Sequence, residues 1–301
     1  MSSPIRFFST ALVALIAAAC TSAGASPTAS PAPSPSQTAT GIVYPTGARD
    51  LVLRLRYVGG FMPPAAHLLD IPVISIYGDG TVIVPGPQLA IYPGPALPNL
   101  QRAMLTPADM QTLLEAAREA GLFGPDAHYD LGGIMDASLA EFTLNADGRI
   151  HIVSAYALME GGGSSEGIDP AVVKARGKLA LLQGQLGSLE ALLDATLEWT
   201  SYRADAIQLL VTPGAPDDGQ GLAQAAITWP VSTPLAAFGS SLPMLMPGQR
   251  CGVVPGSDLG SLRPLLETAN TLTPWTSGGE SFGIAVRPLL PDEAGCPIAA
   301  G

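Results

Sequence analysis

The sequence predicts an α+β fold in which two antiparallel sheet-plus-helix halves are joined by a longer helix, preceded by a signal peptide and a disordered stalk. Three observations carry this. Short β-branched runs are separated by Gly/Asp/Asn turn signals, as in Ile71–Tyr77, Gly78-Asp79-Gly80 and Thr81–Val84. Helix-period apolar positions follow Thr106-Pro107 and Asp169-Pro170, where a capping side chain precedes a first-turn proline. A second hairpin signal, Asn145-Ala146-Asp147-Gly148, sits between two more strand-like runs.

Met1 to Arg6 forms a small basic region, Phe7 to Ala19 is uncharged, and Ala17-Ala18-Ala19-Cys20 reads as a lipoprotein cleavage site, with Ala17 where such sites usually carry Leu. Residues 1–19 are thus expected to be a lipoprotein signal peptide and Cys20 the lipidated residue. The alternative is an ordinary secretory signal cut at Ala17-x-Ala19 or Ala23-x-Ala25. The apolar run is shorter than the ~20 residues needed to cross a bilayer. From Cys20 to Gly47 the chain is Ser, Thr, Pro, Ala and Gly with few large apolar side chains, too little to offset ordering entropy, and is expected to be a stalk of partly polyproline character.

Residues 48–160 should form the first α+β subdomain. Leu51 to Val58 alternates as a half-buried strand. The helix that begins at Thr106-Pro107 has Met110, Leu113, Leu114 and Ala117 on one face and Glu115, Arg118 and Glu119 facing water, and Gly121 ends it. In the second hairpin, Glu141–Leu144 and Arg149–Tyr156, the expected inward set is Phe142, Leu144, Ile150 and Ile152, which leaves His151 in solvent. Residues 161–199 form a hinge and connecting helix. Its stripe is Val172, Leu179, Leu182, Leu186, Leu189 and Leu193, with a bend or break at Gly184/Gly187 and a restart at Ser188.

The second subdomain, 200–301, should hold strands at Ala206–Val211, Ala226–Trp229, Gly252–Val254 and Ser281–Val286. A helix near Asp258–Ala269 would bury Leu259, Leu262, Leu266 and Ala269, with Pro264 near its first turn. The uncharged stretches Gly80–Gln101 and Gly219–Gln249 are interrupted by prolines and read as strands and packed loops, not membrane helices.

The formal charge is −11, one more negative once Arg6 is removed with the leader, so nucleic acid and unaided adsorption to anionic lipid are both disfavoured. Three cysteines are present; lipidation of Cys20 leaves Cys251 and Cys296 to pair in an oxidising compartment, a bridge worth about 4 kcal/mol in the chain-entropy picture.

Chemistry-bearing motifs are few. Gly163-Ser164-Ser165-Glu166-Gly167 has the spacing of a nucleophile elbow, but His67, His128 and His151 all precede Ser165, the wrong order for that hydrolase arrangement. Asp126, His128 and Asp130 offer ligand types but read more simply as a polar loop, and Asp217-Asp218-Gly219 lacks the later positions of a calcium loop. Gly177-Lys178 lacks the upstream glycine of a phosphate loop. Tyr92, Trp199, Trp229 and Trp275 would form a binding face if they converged, and are otherwise core residues. No catalytic residue, metal site or cofactor is assigned.

Tyr77-Gly78-Asp79-Gly80, the run Tyr92 to Pro98, Tyr129-Asp130-Leu131 ahead of the Asn-x-Asp-Gly hairpin, and Arg287 to Glu293 before Cys296 together resemble a group of bacterial lipoproteins of actinobacterial type without established activity. The resemblance spans most of the chain after the stalk and implies location rather than any catalytic residue.

The expectation is therefore a lipid-anchored, extracytoplasmic and non-catalytic module on the outer face of the cell membrane. Its partners would be the membrane, through the anchor, and an envelope polymer, peptide or protein. A secreted form is the alternative location. The competing function is an envelope hydrolase whose carboxylates converge only in the fold; a purely structural stalked module is a third.

Overall fold

The structure, a computed structural model, describes residues 41–63, 65–131, 133–159 and 167–297. The signal peptide, Cys20 and the stalk to Thr40 lie outside the described residues, as does Ser165. The described residues include 41–47, which the sequence reading places in the stalk, and these belong to the fold. Ile42 is buried; its amide donates to Gln111 Oε1 at 2.8 Å, and Gln111 Nε2 donates back to the Ile42 carbonyl at 3.1 Å. Ile42 and Tyr44 add enough apolar contact with the first core to hold this stretch in place.

In chain order the first half comprises β1 (Leu51–Gly59), a 3-10 turn at Ala66–Leu69, β2 (Ile74–Tyr77), β3 (Thr81–Pro85), β4 (Leu100–Met104), α1 (Pro107–Glu119), β5 (Ala127–Tyr129), β6 (Ser138–Ala146), β7 (Arg149–Tyr156), α2 (Pro170–Gly187), α3 (Leu189–Leu193) and β8 (Thr200–Ser201). The strands make one sheet in the order β5-β7-β6-β1-β2-β3-β4-β8, antiparallel except for the β5–β7 pair. Helices α1, α2 and α3 contribute to a single core with this sheet, through Met110, Leu113, Leu114, Leu182, Leu186 and Leu189 among others. The longer helix thus joins the two halves along the chain while packing with the first.

Sequence and structure agree closely in α1. Thr106 and Asp109 form a reciprocal capping box, worth about 1 kcal/mol. At the other end Gly121, at φ 93°, lets its own amide and that of Leu122 turn back onto the carbonyls of Arg118 and Ala117. Asp169 likewise caps α2, its Oδ1 accepting from the Ala171 amide at 2.8 Å. The helix runs through Gly184, breaks after Gly187 and restarts as α3.

The β6–β7 hairpin corrects the expected facing. Asp147 and Gly148 both take positive φ and close a two-residue loop, so Leu144 pairs with His151 and Thr143 with Ile152. Paired residues share a face. His151 is therefore buried beside Leu144 and Val153, its Nδ1 3.0 Å from the Gly124 carbonyl, while Ile150 and Ile152 are exposed. A register displaced by one residue exchanges the two faces of a strand completely.

The second half contains β9 (Ala206–Pro213), β10 (Ile227–Thr228), a 3-10 turn at Leu235–Ala237, β11 (Arg250–Pro255), α4 (Gly256–Thr268), β12 (Trp275–Ser277) and β13 (Glu280–Pro288). Its sheet order is β10-β12-β13-β9-β11, mixed because β10 runs parallel to β12. The core is formed by Ile207, Leu209, Val211, Phe282 and Ile284 against Leu259, Leu262 and Leu266 of α4, the apolar face the sequence predicts. Pro264 lies well inside α4, not near its first turn. Its position four residues after Gly260 accounts for this: both are exposed, so the carbonyl that loses its donor faces water, and no side chain at 260 crowds the ring.

From Gly41 onward the chain is one compact unit. The C-terminal segment packs on the first sheet: Leu290 shares a cluster with Tyr77, Ile83 and Leu100. Cys251 on β11 is bonded to Cys296, with Cα atoms 5.9 Å apart. Among the described residues no helix is long and apolar enough to cross a membrane.

Candidate functional site

Where α2 breaks into α3, the first core is left incompletely covered. A cleft of about 760 Å³ opens there, between the ends of β2 and β3 on one side and the α2–α3 corner on the other. Its inner surface consists of Ile74, Leu186 and Leu189, all buried, flanked by the partly buried Val73, Val84 and Trp199. The corner itself supplies Gly187, Ser188 and Glu190. These follow from the local sequence: two glycines three residues apart, Gly184 and Gly187, weaken the end of α2, and a new short helix starts after Ser188.

Polar groups at this cleft are sparse. Glu190 is the one charged residue on its lining; Oε1 accepts from the Leu197 amide at 2.7 Å, and the second oxygen has no partner among the described residues. The Ser188 hydroxyl makes no capping bond to α3. The Trp199 Nε1 group and the Ser188 hydroxyl have no hydrogen-bond partner among the described residues. The site is a mainly apolar recess whose polar side-chain groups are the Glu190 carboxylate, the Ser188 hydroxyl and the Trp199 Nε1 group.

A second, smaller cavity of about 370 Å³ lies where the C-terminal segment meets both sheets, and is polar. Asp70 and Glu293 both line it, but each carboxylate has a cationic or imidazole partner. His67 Nδ1 is 3.1 Å from Asp70 Oδ2. Arg287 donates to Glu293 through Nη1 and Nη2 at 2.8 and 2.7 Å, and Glu293 also accepts from the Leu290 amide. Beside it, Arg54 donates to both oxygens of Asp292, at 3.0 and 2.8 Å, and Tyr77 Oη donates to Asp292 at 2.7 Å. Burial and the Asp292 charge push the Tyr77 hydroxyl far above its ordinary range. For Asp292 burial acts upward, but the Arg54 hydrogen bond and charge outweigh it and hold the carboxyl below the usual carboxylate range. This is an internally neutralised latch on the tail, with its cations already satisfied.

The residues singled out from sequence are dispersed. Asp126, His128 and Asp130 lie in and beside edge strand β5, all exposed, each with its own partner: Asp126 accepts from Arg149 and the Ile152 amide, His128 Nδ1 is 3.0 Å from Ser154 Oγ, and Asp130 accepts from the Leu131 amide. Among the described residues no three His, Cys, Asp or Glu side chains group as metal ligands. Asp217 and Asp218 bond the amides two residues on, and Tyr92 donates to Asp218 at 3.2 Å from an exposed loop. Trp229 and Trp275 are core, edge to face with ring centroids 6.0 Å apart. The four aromatics do not form a common face; Trp199 alone reaches the cleft. Ser188 and Glu190 were not singled out as site residues, and their nearest sequence signal is the glycine-weakened helix end.

Arg176 is a further residue that sequence reasoning passes over. It is buried at the start of the α2 core face and donates to the carbonyls of Tyr129, Tyr156 and Ala157, closing the ends of β5 and β7. That role is structural, since every contact is to main chain.

Comparison with protein-family profiles, with curated protein sequences and with solved structures finds no match to this chain.

Proposed function

We propose that the protein is a non-catalytic binding module of the cell envelope, tethered to the outer face of the membrane through lipidated Cys20, and that the cleft beneath the α2–α3 corner is its ligand seat. The observation that carries the reading is the cleft itself. Apolar side chains of core type line an opening of about 760 Å³, within the roughly 300–1,000 Å³ of typical ligand pockets. The apolar side chains at the base of this open cleft would gain dispersion contacts and lose contact with water when an apolar group covers them. The stalk of small residues and prolines would hold the module clear of the membrane surface.

Two measurements test this. Replacing Cys20 with Ser should move the protein from the membrane fraction to the soluble fraction; continued membrane retention contradicts the tether. The full-length Cys20→Ser chain should bind the uncharged dye Nile red at one site with enhanced emission. Ala191→Trp, which places a large ring at the exposed cleft mouth, should weaken that binding at least tenfold without lowering the thermal midpoint. Dye binding that Ala191→Trp leaves unchanged would remove the cleft from the argument.

A further inference from the structure

We infer that the occupant of this cleft is a single-chain amphiphile with an uncharged or cationic head, its hydrocarbon against Ile74, Leu186 and Leu189 and its head near Ser188, Glu190 and Trp199. The inference rests on the proposed role of the cleft and narrows it to a chemical class.

Hydrogen-bonding capacity decides against a sugar polymer. A saccharide brings a hydroxyl on nearly every ring carbon, and each one desolvated without a partner is a penalty. The cleft offers Ser188, the free oxygen of Glu190 and the Trp199 N–H, all near the helix corner, while its inner surface is aliphatic. That asymmetry suits a molecule apolar at one end and polar at the other. Branched aliphatic side chains from both the sheet and the helix corner make walls that a flexible chain can follow, whereas stacking of a flat ring would need more than the one aromatic present.

Charge decides the head. Glu190 is the only titratable group on the lining; His67, Arg54 and Arg287 belong to the other cavity, where Arg54 and Arg287 are held by Asp292 and Glu293. Glu190 is exposed at the rim of the cleft, so a second carboxylate placed beside it would meet a modest, salt-screened repulsion, and a fatty acid should bind in its ionised form more weakly than a neutral ester of the same chain. A quaternary ammonium head would be attracted, and Trp199 offers an aromatic face beside it.

The test uses the full-length Cys20→Ser chain loaded with Nile red and titrated with 1-palmitoylglycerol, hexadecyltrimethylammonium or palmitate at pH 7.4, each below its micellar concentration. In low-salt buffer the neutral and cationic compounds should half-displace the dye at concentrations at least threefold below palmitate. Glu190→Gln keeps an acceptor oxygen for the Leu197 amide and removes the charge; it should abolish the difference between palmitate and the monoacylglycerol. Equal competition by palmitate in the unsubstituted site, or a ratio unmoved by Glu190→Gln, overturns the assignment of the head. Failure of all three compounds to displace bound dye overturns the amphiphile class while leaving the cleft as a binding site. After incubation with phosphatidylcholine vesicles and gel filtration, no phospholipid should co-elute; stoichiometric co-elution overturns the single-chain assignment.

Discussion

Asp292→Ala is expected to destabilise the folded chain by about 2–3 kcal/mol, read as a fall in the urea midpoint at pH 7 with little change in slope. The side chains of Arg54 and Asp292 are only 11 % and 20 % exposed, so the guanidinium left behind stays largely out of water without its anion. Removing one partner of such a pair costs about 3–5 kcal/mol when burial is complete, and the residual exposure here reduces that. Tyr77, fully buried, loses its acceptor at the same time, and Arg54 Nη2, which also reaches Tyr77 Oη at 3.2 Å, does not replace the lost anion. The pH dependence has a definite sign. The folded-state carboxyl is depressed below its ordinary value of 3.8. Its contribution is therefore complete above that value and is lost as the pH falls through the lower, folded-state value, because the unfolded chain takes up the proton first. Urea midpoints measured from pH 6 to pH 2 should fall more steeply below pH 4 for the native sequence than for Asp292→Ala. Parallel curves would show that the latch contributes nothing. Arg54→Met combined with Asp292→Ala should recover part of the loss, since the orphaned charge is gone.

Much of the fold can be read from local signals, because those signals act within a few residues of where they are written. Thr106-Pro107, Asp169-Pro170 and Gly121 set helix ends through their own side chains or their own φ, and tertiary context had no reason to override them. The α2 break is legible for the same reason. What could not be read is what depends on pairing across distance. Strand β4 is five residues with no clean alternation, β5 and β12 are three residues each, and all three exist because a neighbouring strand offers its edge. Both parallel pairs are of this kind. The facing of β7 escapes local reading because it rests on the parity of one loop: with Asp147-Gly148 as the whole loop, even-numbered positions on β6 oppose odd-numbered ones on β7. Pro264 lies deeper in α4 than local rules allow because its tolerance depends on Gly260 lying on the same wet face of the helix. The cleft was illegible for a different reason. It is a property of space left between β2, β3 and a broken helix, and no residue type announces a void; the Trp199 side chain was visible, but its convergence with Ser188 and Glu190 was not.

Cutting the Cys251–Cys296 bond should cost more than any other change proposed for the C-terminal segment, about 4 kcal/mol from loop-closure entropy alone for the 45-residue separation. Intact non-reduced peptide mapping should recover the two cysteines in one cross-linked species. The urea midpoint should then drop on adding reductant, and a chain with both cysteines changed to alanine should match the reduced form. Equal midpoints with and without reductant would mean that the bridge restrains little beyond what packing already holds. The tail has other attachments, and these shape the result. Leu289 donates to the Ala206 carbonyl, Leu290 is buried against Tyr77 and Ile83, and Glu293 is held bidentately by Arg287. Gly295, at φ 89°, turns the chain back so that position 296 meets β11, and a side chain at 295 would collide with Val253. With the bond intact, the tail cannot leave the fold at that end, so losing Asp292 must be borne by the whole structure. Once the bond is cut, the tail can detach while the rest stays folded, and the loss from Asp292→Ala is capped at the tail's own docking energy. The double change should consequently cost less than the sum of the two single changes, with faster amide exchange at Leu289 and Leu290 ahead of global unfolding. Strict additivity would indicate that the tail and the two sheets unfold only together.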